Sequence, residues 1–171
     1  MQERTGLVTM KKNPLTLVGQ SLNVGDKAPD FEVTDNDMKA ASLSSFSGKV
    51  CIISSVPSLD TPVCDMETRR FNTEAGKLGN DVVILTISMD LPFAQKRWCG
   101  AAGVDKVITL SDHMNASFGK AYGVLIKELR LLARAVFVVD KKGIIQYIQI
   151  VKEIADEPDY DAVIKAVTGL M

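Results

Sequence analysis

Apolar residues in this chain gather in short unbroken runs. "KVCIISSV" (49–56), "DVVILTIS" (81–88), "VITLSD" (107–112) and "RAVFVVD" (134–140) are too short for ordinary helices and too uniformly apolar for strands with one wet face. Such runs mark strands covered on both sides. "IIQYIQIV" (144–151) follows the last of them across "KKG", a tight turn that makes the pair antiparallel. Between the runs the pattern turns helical. Thr61 as N-cap and Pro62 as first residue predict a helix to about Lys77, since proline lacks only an N–H that has no partner there. "PFAQKRWCGAAG" predicts a second helix, opened by Pro92 and ended near Gly103, and "NASFGKAYG" a short third. "PDYDAVIKAVTGL" closes the chain as an amphipathic helix. At the other end, "GLVTM" and "LTLVG" joined by "KKNP" predict a β-hairpin, and "FEVTD" and "KAASLSSF" predict peripheral strands. Strands alternating with helices, then a hairpin and a helix, predict an α/β three-layer sandwich with a mixed central sheet.

Length and composition narrow the function. A chain of 171 residues suits one domain, here expected to span residues 1–171. A net charge of −1 shows no cationic excess for nucleic acid or an anionic membrane. "MQERTGLVTMKKNPL" lacks the apolar stretch of a secretion leader, and no run approaches the roughly 18 apolar residues of a membrane span. A cytoplasmic protein is expected. The three cysteines, Cys51, Cys64 and Cys99, are an odd number, which argues against a secreted disulfide scaffold, and form no C-x-x-C pair, which argues against a dithiol motif and the common zinc spacings.

The chemistry concentrates on "SVPSLDTPVCDMETRRF" (55–71). With Thr61 as N-cap, Cys64 is the third helical residue, among free backbone N–H groups at the positive end of the helix dipole. Both favour a thiolate. They do not suffice. A free thiol is only a few per cent ionised at neutral pH, and a helix terminus typically contributes about 0.3–1 kcal/mol, against about 1.36 kcal/mol for each pKa unit. The same helix supplies no cation: Asp65 and Glu67 have the wrong sign, and Arg69 and Arg70 fall on other faces. The cation has to come from elsewhere in the fold. Arg134 is the best candidate, because it interrupts "LLARAVFVVD" at the mouth of an apolar strand, where charge is costly unless paired. The Thr61 hydroxyl is the natural local donor, to the sulfur or to a substrate oxygen, and Pro57 is placed to shape the loop and shield the sulfur.

The alternative for Cys64 is a small buried hydrophobe, and that is the favoured reading for Cys51, flanked by valine and isoleucine. Cys99 follows Trp98 and precedes "GAAG", a small-residue stretch that opens at modest cost, so it is a candidate second redox thiol. A disulfide needs Cα atoms about 4.4–6.8 Å apart, so joining two cysteines on separate helices requires local unwinding. The only histidine, His113, lies in a "SDHMN" turn and reads as a solvated loop residue, which leaves a cysteine hydrolase without its base. A non-enzymatic redox-sensing module is the remaining alternative.

Taken together, these residues resemble the thiol peroxidase family, the atypical two-cysteine peroxiredoxins of bacteria. "VPSLDTPVCDMETRRFN" is similar to the family's peroxidatic motif, with Pro57, Thr61 and Cys64 at its P-x-x-x-T-x-x-C positions. "MDLPFAQKRWCGAAG" resembles the segment with the resolving cysteine, here Cys99, "LLARAVFVVD" the strand with the active-site arginine, here Arg134, and "EPDYDAVIKAV" the closing helix. The likeness runs from "NPLTLVG" onward. It implies a thioredoxin-like fold with an added N-terminal hairpin, a homodimer, hydrogen, alkyl and lipid hydroperoxides as substrates, an intramolecular Cys64–Cys99 disulfide, thioredoxin as reductant, and no metal or organic cofactor. One departure is "KELR" between "AYGVLI" and "LLARA", shorter than the family's usual glycine-containing loop, which predicts an altered surface there.

Overall fold

The frame of the molecule is strand β5 (Val50–Ser55), buried at every residue. It pairs in parallel with β6 (Val82–Ser88) and antiparallel with β9 (Ala135–Val139), so neither edge nor face meets water. That is why its sequence carries no polar alternation. Adding β3 (Glu32–Thr34), β4 (Ala40–Ser42), β7 (Ile108–Ser111) and β10 (Ile145–Ile150) gives a seven-stranded mixed sheet in the order β10-β9-β5-β6-β7-β3-β4. The computed structural model describes residues 1–171.

Neighbouring residues of β5 serve opposite faces. Ile53 packs on one side with Leu85, Ile87 and Phe137, beneath Phe118 of α3 (Ser117–Ala121) and Val8 and Leu17 of the N-terminal hairpin. Ile52 packs on the other with Ile84, Val136 and Val138, beneath Phe71 of α1 (Pro62–Leu78) and Val163 and Val167 of α4 (Tyr160–Thr168). The result is the expected three-layer α/β sandwich. The parallel crossovers β5-α1-β6 and β6-α2-β7, with α2 at Pro92–Ala102, bring the N-termini of α1 and α2 to the C-terminal ends of β5 and β6. In open α/β sheets this is the end where functional groups collect. No helix is long and apolar enough to cross a membrane.

The hairpin is β1 (Glu3–Met10) with β2 (Asn13–Val18). The structure departs from expectation in two places. Only the first half of "KAASLSSF" is a strand; Leu43–Phe46 is a 3-10 turn, closed by Ser42 N donating to Ser45 Oγ and by Leu43 N donating to the Asp30 carboxylate. Those polar partners outcompete the sheet. A two-residue strand, β8 (Leu125–Ile126), also extends the hairpin into a three-stranded sheet, which is too short to leave a pattern in the sequence. The "KELR" loop closes just after it: Arg130 N donates to Ile126 O, Ile126 N donates to Leu131 O, and Arg130 takes a left-handed φ of 51° in place of a glycine.

Gly19, where the hairpin meets the α3 region, has a φ of 114°, and a Cβ there would fall on the Lys120 carbonyl oxygen. Gly19→Ala is expected to cost about 2 kcal/mol or more, read as a lowered urea midpoint with an unchanged slope. A midpoint equal to that of the parent would show that this junction is not packed as described.

Candidate active site

The local sequence dictates the entry into α1. After Ser55 the chain passes through the buried Val56, Pro57 and Leu59, with Ser58 half-buried and Asp60 and Thr61 exposed. Thr61 is extended (φ −97°, ψ 148°), Pro62 begins the helix, and the first intrahelical bond is Asp65 N to Thr61 O at 3.0 Å. The amides of Val63 and Cys64 precede that bond and face out of the helix end. The Thr61 hydroxyl does not reach the sulfur. It donates to Ser58 O at 2.8 Å and tightens the turn. Asp90, at the end of β6, fastens the same loop by accepting from Ser58 Oγ and Leu59 N, each at 2.8 Å.

The structure does bring Cys64 and Arg134 together. Arg134 Nη2 donates to Cys64 Sγ at 3.2 Å, Nη1 donates to Glu67 Oε2 at 2.6 Å, and Nε donates to Ile154 O at 3.0 Å. The other Glu67 oxygen accepts from Ser54 Oγ at 3.0 Å. Cys64 and Glu67 are 0% exposed and Arg134 only 2%, so these contacts are shielded from bulk solvent. Glu67, read from sequence only as a neighbour of the wrong sign, is instead the group that holds the guanidinium. Two signals in the sequence could have found it. It lies three residues after Cys64 on the same helix face, and the buried β5 run ends in two serines that need polar partners.

The electrostatics follow from one cation facing two acids. Burial pulls Arg134 down, but the Glu67 carboxylate and the Cys64 sulfur outweigh it and hold the guanidinium above its ordinary value. Burial pushes Glu67 up to about 7, with Arg134 and Ser54 offsetting only part of the cost. Of the pair, the carboxyl gives up its charge first. The carboxyl and the sulfur draw on the donors of one guanidinium.

The remaining candidates lie outside this contact. Trp98, on α2, covers the sulfur with Val56 and Leu59, and Arg69 stacks on its ring at 5.8 Å. Cys99, the next residue, is a free thiol bonded to Thr109 Oγ1 at 3.4 Å. Cys51 is 2% exposed, and burial pushes its thiol up to about 11, the environment of an inert packing residue. His113 Nδ1 bonds to Ser111 Oγ at 2.9 Å and is no partner of Cys64. No group of three or more His, Cys, Asp or Glu side chains is placed to hold a metal ion. A cavity of about 520 Å³ lies at the opposite end of β5, lined by Lys27, Lys49, Cys51 and Lys142, and does not reach Cys64.

Against known proteins, the redoxin family matches residues 23–164. The chain is 58% identical over 164 residues to the thiol peroxidase of Bacillus subtilis (strain 168), covering 96% of this chain and 98% of that one. It is 56% identical over 159 residues to the thiol peroxidase of Staphylococcus aureus (strain MRSA252), covering 93% and 96%. Among solved structures, a peroxiredoxin-like protein from Aquifex aeolicus superposes with a TM-score of 0.91 at 43% identity, covering 98% of this chain and 99% of the other.

Glu67 binds its proton more tightly in the fold, at about 7, than at its ordinary 4.5. Its contribution to stability is therefore fully present below about 4.5 and is lost as pH rises through about 7. Glu67→Gln keeps the shape and removes the titration. The difference in unfolding free energy, parent minus variant, is expected to fall across that window in urea titrations at successive pH values. A difference that stays flat or rises would mean that Glu67 is ionised throughout.

Proposed function

This chain belongs to the thiol peroxidases of the redoxin family, and from that membership we propose how its own residues carry out thiol-dependent peroxide reduction. Cys64 is the attacking sulfur. Its thiolate attacks one oxygen of the O–O bond, so the S–O bond of a sulfenic acid forms as the O–O bond breaks and the other oxygen leaves as alkoxide or hydroxide and takes up a proton. Arg134 and the amides of Val63 and Cys64 face the charge that develops on that oxygen, preorganised in a site without water. Thr61 and Pro57 act at one remove by fixing the loop that leads into α1.

Cys99 then attacks the sulfenic sulfur, giving the Cys64–Cys99 disulfide and water, and a thioredoxin-type dithiol restores both thiols by exchange. Hydrogen peroxide and alkyl or lipid hydroperoxides fit this scheme, because only the O–O bond is chemically required. The reading takes residues 1–171 as one thioredoxin-like domain, working in the cytoplasm as a homodimer, with sulfur as the sole redox centre.

The observation that carries the proposal is the buried guanidinium 3.2 Å from the Cys64 sulfur. Cys64→Ser is expected to abolish turnover. Cys99→Ser is expected to consume one equivalent of peroxide and then stop in a thioredoxin-coupled assay, with a sulfenic acid at Cys64 found by mass mapping. Sustained cycling by Cys99→Ser would refute the resolving role. Arg134→Lys keeps a charge for Glu67 but loses the fork, and should slow the first step by about tenfold or more. An unchanged rate would remove Arg134 from the chemistry.

A further inference from the structure

The Cys99 thiol points away from the sulfur it is proposed to meet. Trp98 packs against the cluster of Val56, Leu59 and Cys64, and the next helical residue is turned by roughly 100°. That turn brings Cys99 Sγ to 3.4 Å from Thr109 Oγ1 on β7. Thr109 is 2% exposed. Its hydroxyl donates to Asn36 Oδ1 at 3.0 Å. A hydroxyl has one proton to give. With that proton committed to Asn36, Thr109 accepts from Cys99, and the contact keeps the thiol facing β7. Lys96 of α2 also pairs with Asp37, next to Asn36, at 3.2 Å. Beyond Cys99, by contrast, α2 ends in Gly100, two alanines and a left-handed Gly103, and nothing packs where a Cβ at Gly100 or Gly103 would lie. Once the thiol is released, what still ties this end of the helix is the packing of Ala102 and an exposed bond from Arg69 Nη1 to Ala102 O at 3.1 Å, which water can replace.

We infer that Thr109, oriented by Asn36, is a positioning residue for the second half of the reaction: it catches the Cys99 thiol on the β7 side of α2, and release from this catch sets the rate of disulfide formation. This rests on the reading of Cys99 as the resolving sulfur. On release, Cys99 gives up its proton and attacks the Cys64 sulfenic sulfur. The S–S bond forms, the S–O bond breaks, and the departing hydroxide leaves as water with that proton. The oxidant is the peroxide already consumed. While the catch holds, the sulfenic acid is open to a second peroxide, which carries it to sulfinic acid. The strength of the catch therefore also sets the peroxide dose at which the enzyme is inactivated.

The test mixes reduced full-length protein with one equivalent of hydrogen peroxide in a stopped-flow instrument. The fluorescence of the single tryptophan, Trp98, follows the reaction, and acid-quenched samples are mass-mapped for disulfides. Thr109→Val, isosteric and well suited to a strand, removes the acceptor. It is expected to speed the disulfide phase about three- to tenfold, the effect of losing one hydrogen bond, and to raise the peroxide dose that produces sulfinic acid. Thr109→Ala should do the same, and Thr109→Ser, which restores the hydroxyl, should stay within about twofold of the parent. In the reduced proteins, iodoacetamide should label Cys99 faster in the Val and Ala variants by a similar factor, a readout that needs no turnover. Unchanged or slower closure in Val and Ala, or equal acceleration in Ser, would overturn the catch. A parent protein that forms no Cys64–Cys99 disulfide would instead overturn the resolving role of Cys99, and the catch with it. The two failures are distinguished by the parent's own disulfide map.

Discussion

A guanidinium cut off from water has to be neutralised from within the fold, and Arg134 is met by groups from two other stretches of chain. Its three donors go to a helix carboxylate, a helix sulfur and the Ile154 carbonyl. These contacts fix α1 against the start of β9 and against the segment after β10. The sheet makes the geometry possible. Ser55 pairs with Ala135 in the β5–β9 ladder, so Arg134 emerges beside the point where β5 runs out. There the strand ends in two serines, Ser54 serving Glu67 and Ser55 donating to Ala133 O at 2.7 Å. The polar end of an otherwise apolar strand is the floor of the site.

Such a cluster is a poor investment in stability. Taking an ion pair out of water costs several kcal/mol per ion before the attraction repays it. Its value is chemical. With one cation between two acids, Glu67 and Cys64 draw on the same guanidinium, and burial pushes Glu67 up to about 7. The guanidinium is thus fixed in place by Glu67 without being wholly consumed by it. A lysine on a flexible stem could not serve carboxylate, sulfur and backbone carbonyl at once.

Much of this was legible in the sequence, for identifiable reasons. The buried strands announced themselves as β-branched runs, and Thr61-Pro62 located the helix start and hence the depth of Cys64 in its first turn. Arg134 was legible because a charge at the mouth of an apolar strand demands a partner. Glu67 was misread because the sign of its effect depends on Arg134, 67 residues away. A local count sees only a second negative charge. The Thr61 hydroxyl, expected to donate to the sulfur or to a substrate oxygen, does not reach the sulfur and closes its own turn on the Ser58 carbonyl. The facing of Cys99 towards Thr109 depends on how α2 is rotated on the sheet, which its small-residue end leaves unmarked. β8 and the 3-10 turn at Leu43–Phe46 are too short to have a period.

Whether Glu67 and Cys64 share one guanidinium is read from a double-mutant cycle on the rate of the first oxidation. Stopped-flow rates with hydrogen peroxide would be measured for the parent, Glu67→Gln, Arg134→Lys and the double variant, all in a Cys99→Ser background. A shared cation predicts that the effect of Glu67→Gln changes once Arg134 is replaced, with a coupling of about 1 kcal/mol or more. Effects that simply add would show that Glu67 and Arg134 act on the sulfur independently, and would contradict the account.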